Sequence, residues 1–205
     1  MKILIACEES QAVTKEFRAL GHEAYSADII PCSGGHPEWH IQGDVTPLLV
    51  QDWDMIIAFP PCTYITNAGA VRMRVKGEIV QARYVKAMEA KAFFMSILNA
   101  NCEKIAVENP TPMKLIGLPN YSQAIQPYHF GHPYSKRTCL WLKNLPPLLP
   151  TELMTEHTPY VNGGCKDAKG NYRRLQGRGE RDQTTRSKTF PGIAKAMAQQ
   201  WGGEL

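Results

Sequence analysis

Short apolar runs bounded by polar residues recur along the chain, and each has the length of a strand. They fall at residues 2–7, 54–59 and 104–108, and 23–28 reads as a further strand that ends in an acid. Between them the spacing changes to that of helices. Ser10 stands where a cap belongs, Val13, Phe17 and Leu20 share one face, and Gly21 closes the segment. A longer helix is predicted over 78–99, and the Gly- and Pro-rich stretch 31–43 reads as a loop. Strands alternating with helices predict an α/β fold on a doubly wound, mostly parallel sheet.

Past residue 120 the pattern changes. Stretches 124–128 and 138–142 read as strands separated by Phe-Gly-His-Pro, which predicts an antiparallel pair. Residues 146–150 mark a Pro-rich linker, and 190–201 read as a closing helix. The expected organisation is a core over 1–145, a small basic appendage over 146–186, and a C-terminal helix within 187–205 packing back on the core.

With 205 residues, 43% hydrophobic and 20% charged, the chain has the composition of an ordinary globular domain able to bury a real core. No apolar run approaches the roughly 20 residues that span a bilayer, so no membrane partner is expected. The amino terminus leads straight into a strand without signal-peptide character, which predicts a cytoplasmic location. The six cysteines, at 7, 32, 62, 102, 139 and 165, form no Cys-x-x-Cys pair. Reduced thiols are expected, and the spacing Cys32-x3-His36-x3-His40 reads as a polar loop beside a ligand crevice rather than a metal site.

The net charge of +4 is unevenly placed. Residues 166–188 hold eight basic side chains against three acidic ones, a local +5 in a Gly-rich setting. Arg173, Arg174, Arg178 and Arg181 lie there, and a second loop over 63–77 carries Arg72 and Arg74. Such segments suit a phosphate backbone, or they are solvated flexible loops; the charge pattern is compatible with both.

The chemistry concentrates at strand ends. The apolar run 55–59 is stopped by Pro60-Pro61, and the next side chain is the thiol of Cys62. In open α/β sheets the ligand crevice lies outside the carboxyl ends of the strands, and a rigid Pro-Pro step fixes a nucleophile there. Asp28, Asp44 and Glu108 also end or follow strands. An acid at the end of the second strand commonly binds ribose hydroxyls, and Asp44 could then accept from an adenine amino group; each of these acids also reads as a cap for the following helix.

These residues carry a resemblance. Pro60-Pro61-Cys62 followed by Val107-Glu108-Asn109 resembles the paired catalytic motifs of DNA cytosine-C5 methyltransferases. The segment Phe130 to Arg137 is similar to the Gly-x-Pro-Gln-x-Arg-x-Arg element that follows them there. Ser187-Lys188-Thr189-Phe190-Pro191 is similar to the family's closing Gly-Asn-Ser-x-x-Pro helix. The motif order is the family's, and the pattern is most similar to short phage and prophage members. The resemblance implies the Rossmann-like fold of S-adenosylmethionine-dependent methyltransferases, S-adenosylmethionine as cofactor, and DNA with a flipped cytosine as partner.

By that resemblance Cys62 adds to cytosine C6, Glu108 acts at N3 with its carboxyl kept neutral by burial, and Arg137 or Lys136 faces O2. The cofactor would lie against Ala6, Cys7, Glu8 and Ser10 on one side. On the other it would meet Asp28, Ile29, Asp44, Val45, Phe59 and Pro61. The loop over 63–77 either closes over the base or is a mobile surface loop. Three departures stand out, the first being that the positions matching Gln-x-Arg-x-Arg are Tyr134, Lys136 and Thr138, so only one basic match is aligned. The first loop, Cys7 to Ala12, has no glycine where the family is Gly-rich, and some 40 residues replace a much larger recognition domain. Recognition is then expected from phosphate contacts more than base readout.

Rival readings differ in class. Amino methyltransferases use an Asp/Asn/Ser-Pro-Pro-aromatic turn, whereas Phe59 and Cys62 hold the two outer positions here. The same C5 chemistry on RNA or a free pyrimidine nucleotide is a second option. A catalytically silent nucleic-acid-binding relative is a third.

Overall fold

The computed structural model describes residues 1–161, 163–166, 172–175, 177 and 187–203, with 163–166 and 172–175 described as backbone. A seven-stranded sheet forms the centre, from β1 (Lys2–Ala6), β2 (Glu23–Asp28), β3 (His40–Gln42), β4 (Met55–Ala58), β5 (Lys104–Pro110), β6 (Gln123–Ile125) and β7 (Thr138–Lys143). The spatial order is β3-β2-β1-β4-β5-β7-β6. β1 to β5 run parallel, and β7 inserts antiparallel to both β5 and β6. The fold is thus an α/β fold on a mostly parallel sheet, and chain order reverses between β1 and β4. In such sheets the crevice at that reversal receives ligands.

Side-chain alternation divides the core. Leu4, Ala6, Ile56, Ala58, Ile105 and Val107 face one side, where helix α2 (Gln81–Leu98) packs with Phe94 and Ile97. Ile3, Ile5, Met55, Ile57, Ala106 and Leu140 face the other, against α1 (Ala12–Ala19) and α3 (Pro191–Met197). Phe17 of α1 and Phe94 of α2 are fully buried, each contributing roughly 1.5–3 kcal/mol by leaving water. A Cβ on Gly192 would lie 2.0 Å from the Phe130 carbonyl oxygen, so only glycine lets the start of α3 sit this close. The Gly192 amide donates to His132 Nε2 at 2.9 Å.

Several elements differ from expectation. The 31–43 stretch contains β3, an edge strand of three residues whose His40 pairs with Ser26 both in register and through Ser26 Oγ, 2.8 Å from Nδ1. Helix α2 starts at Gln81 rather than 78, because Lys76 (φ 49°) and Gly77 (φ 89°) turn the chain so that Glu78–Ile79 pairs with Arg74–Val75. Ser10 does not cap α1 in the expected way; its Oγ is 3.4 Å from the Ala12 amide. Instead the Glu8 carboxylate accepts the Val13 and Thr14 amides at 2.6 and 3.2 Å and the Thr14 hydroxyl at 2.7 Å. The Pro146–150 stretch lies against the core. Gln123 clamps the backbone of Leu148 (2.7 and 2.8 Å), and Gln200 clamps that of Leu149 (2.8 and 2.9 Å). Backbone pairing joins Gly163–Lys166 to Tyr172–Leu175 as a hairpin in the basic segment.

Candidate active site

Cys62 stands four residues past the end of β4, exposed on the carboxyl side of the sheet. Its position is secured from two directions. Asn109, buried at the end of β5, donates Nδ2 to the Pro60 carbonyl oxygen at 2.7 Å. The Cys62 carbonyl oxygen in turn accepts the Ile65 and Thr66 amides, both at 3.3 Å, and the Thr66 hydroxyl at 3.0 Å. The turn is therefore braced before and after the thiol. Asn109 Oδ1 is buried with no partner among the described residues.

Glu108 precedes Asn109 on β5 and so points to the opposite face of the sheet. Its carboxyl is pushed up from the ordinary range, chiefly by desolvation, against the opposing pull of Lys136 and a hydrogen bond with Thr138. The Cys62 thiol is also raised, by desolvation and then by the charge of Glu108, while Lys136 draws it down. Protein surrounds the sulfur closely enough to desolvate it even though the residue is exposed. Cys62, Glu108 and Lys136 thus act on one another across β4, β5 and the approach to β7.

Sequence alone leaves Arg137 and Lys136 as equivalent cations. Arg137 points elsewhere, donating to Tyr121 Oη at 2.8 Å and interacting with Cys139. Tyr121 and Cys139 belong to the α2 side of the core, whereas Glu108 faces the other side. Adjacent residues entering a strand diverge in this way. Among the described residues, Lys136 is the cation that acts on both Cys62 and Glu108.

The second half of the site lies at the β1–β4 reversal. Cys7 follows β1 with φ 59°, and Gln11 has φ 56° just before α1. Two ordinary residues thus adopt the left-handed conformations usually left to glycine, at about 1 kcal/mol each. Gln11 is fully buried and is held by Nε2 on the His36 carbonyl oxygen at 2.7 Å and by the His36 amide on its Oε1 at 3.0 Å. Burial, then Asp28, then Asp44 raise the Cys7 thiol to about 12, so both acids lie near this loop. Asp44 uses Oδ1 to accept the Thr46 amide and hydroxyl at 2.9 and 2.8 Å, which holds its own carboxyl low. Ile29, next to Asp28, is 74% exposed. Ala6 and Val45 are buried, and Phe59 is half-buried with its amide on the Ala6 carbonyl oxygen at 3.0 Å. Pro61 is exposed beside Cys62.

Glu8 is turned away from the crevice, since both its oxygens serve α1. His36 stacks on Trp39 at 3.8 Å and meets Glu38 at 3.0 Å, while His40 is held by Ser26 and the Ile30 carbonyl oxygen. Arg72 and Arg74 are exposed on the 67–79 segment, and Arg74 donates to the Gly77 carbonyl oxygen at 2.8 Å. Arg173 and Arg174 lie on the second strand of the basic hairpin, while Arg178 and Arg181 fall outside the described residues. Sequence reading gave no role to Asn109 or Thr138. Asn109 had a signal, being a carboxamide directly after a strand-end acid; Thr138 had none, because its meeting with Glu108 comes from an antiparallel pairing.

No family model and no curated protein matches this chain. Among solved structures it is similar to a prophage-encoded Escherichia coli protein assigned as a DNA modification methyltransferase, at 12% identity and a TM-score of 0.44. The likeness covers 74% of this chain and 51% of the other, so the chain spans about half that protein's length. Among the described residues no helix is long and apolar enough to cross a membrane.

Proposed function

We propose that this protein is a DNA cytosine-C5 methyltransferase using S-adenosylmethionine. The convergence of Cys62, Glu108 and Lys136 at the carboxyl edge of the sheet carries the reading. The motif order in the sequence supports it.

The chain's residues have separate tasks. Cytosine C5 is a weak nucleophile until something adds at C6. The Cys62 thiolate forms the bond to C6, and the displaced electron pair makes C5 electron-rich. Glu108, whose carboxyl desolvation pushes up, donates in its protonated form a hydrogen bond at N3, where negative charge builds. Lys136 favours the thiolate and stabilises charge at O2. After methylation the C5 proton passes to water, the C5–H electron pair restores the C5–C6 double bond, and the C6–S pair leaves with Cys62 as the thiolate.

The donor set at the β1–β4 reversal fits the cofactor. Asp28 would hold the ribose hydroxyls, exposed Ile29 the adenine face, and Asp44 the adenine amino group. The backbone of Cys7 to Ser10 would hold the amino acid end. S-adenosylmethionine, when bound, supplies an electrophilic methyl group. Arg72, Arg74, Arg173, Arg174, Arg178 and Arg181 would neutralise DNA phosphates.

Incubating the protein with labelled S-adenosylmethionine and DNA, then separating the digested nucleosides, tests this directly. The label is expected in 5-methylcytosine. Label in N6-methyladenine or N4-methylcytosine would contradict the C5 assignment.

A further inference from the structure

Lys136 has neighbours that the reaction above does not use. Its Nζ lies 5.8 Å from the centre of the Phe190 ring and 6.0 Å from that of Tyr160. Tyr160 and Phe190 meet edge to face at 4.9 Å, and Tyr134 joins them at 5.0 Å from Tyr160 and 6.2 Å from Phe190. All three rings are only half-buried, although rings of this size stabilise most when fully covered. They come from separated segments drawn together by backbone pairing. Thr158–Pro159 pairs with Tyr134–Ser135, and the Tyr160 amide donates to the Ser135 carbonyl oxygen at 3.0 Å. Phe190 sits directly before α3.

Their place in the chain adds a second observation. Tyr160 precedes the basic 166–188 segment and Phe190 follows it. In the chain, the segment with its local +5 therefore lies between two members of the aromatic cluster. Half-exposed aromatic rings beside cationic side chains such as Lys136 are the combination that holds unpaired polynucleotides. The cations track the backbone, and the rings stack bases that have no partner strand. Duplex bases are already stacked and gain little from such a wall.

Resting on the proposed function, we infer that Tyr134, Tyr160 and Phe190 form a stacking wall for a nucleobase beside the reacting one. The preferred substrate is accordingly a single-stranded polynucleotide. Its neighbouring base leans on Tyr160 and Phe190, next to the Lys136 ammonium.

Fluorescence anisotropy with labelled oligonucleotides of one sequence, at fixed salt, tests this. The arms are single-stranded DNA, single-stranded RNA and duplex DNA. At least one single strand should bind tenfold or more tighter than the duplex, and comparing the two identifies the sugar preferred. Tyr160→Leu should weaken single-strand binding by about ten- to a hundredfold while leaving duplex binding nearly unchanged. Phe190→Leu, which keeps an apolar group against the core, should act in the same direction. Circular dichroism and thermal midpoints of both variants confirm folding. Duplex binding as tight as single-strand binding, or folded variants that lose neither, would overturn the inference. Single-strand preference without methyl transfer would keep the wall and remove the enzymatic reading. Transfer to duplex DNA alone would do the reverse.

Discussion

Cys62 experiences opposing influences whose balance sets its reactivity. Burial of the sulfur and the nearby Glu108 carboxyl favour the thiol, and Lys136 favours the thiolate. The proposed reaction needs an ionised Cys62 together with a neutral Glu108; burial raises both groups, which favours the second and opposes the first. The active protonation state is therefore populated over a limited pH range, and activity should follow a bell-shaped profile. A chemical probe reads the same coupling without substrate. Iodoacetamide labelling of Cys62, followed by intact mass against a Cys62→Ser control, should slow on Lys136→Met. It should speed up at pH 9 on Glu108→Gln, where an ionised neighbour is removed. Each change should be about three- to tenfold, as a single charge nearby commonly shifts a thiol by up to a unit or more. Unchanged rates in both variants would contradict the coupling.

At the scale of elements, α1 depends on a carboxylate that is out of water. Burial raises Glu8 from 4.5 to about 7, against the lowering effect of the Val13 and Thr14 donors. The folded protein thus holds this proton more tightly than the unfolded chain. The contribution is fully present below pH 4.5 and is lost as pH rises through 7, amounting to about 3 kcal/mol. Thermal midpoints measured from pH 5 to pH 8 should fall more steeply for the native protein than for Glu8→Gln. Parallel curves would contradict this assignment. Glu8 also marks where local sequence signals stop. The strands β1, β4 and β5 were legible because each is an apolar run with polar bounds, and β2 as a segment after the Gly21 stop that ends in the acid Asp28. β3 was not, because His40-Ile41-Gln42 has no such pattern and exists through its pairing with β2. The cap on α1 was misplaced because it reaches back across the left-handed Gln11, outside the usual cap spacing.

For the whole molecule, the topology does what the motifs alone could not. Placing β4 between β1 and β5 brings Pro60-Pro61-Cys62 beside Glu108 and Asn109, residues nearly fifty positions apart. The pairing of Cys62 with Glu108 was legible as motifs in a fixed order. The choice of Lys136 over Arg137, the Asn109 brace and the Tyr160–Phe190 cluster were not, since each arises from long-range packing. The central claim is a covalent bond between Cys62 and cytosine C6. The most direct measurement is trapping on an oligonucleotide bearing 5-fluorocytosine in the presence of S-adenosylmethionine, where loss of the C5 substituent is blocked and the adduct persists. The account predicts a denaturation-resistant protein–oligonucleotide band, with a mass locating the modification at Cys62, that Cys62→Ser abolishes. Absence of any adduct on single- or double-stranded substrate, with no binding of S-adenosylmethionine by calorimetry, would contradict it.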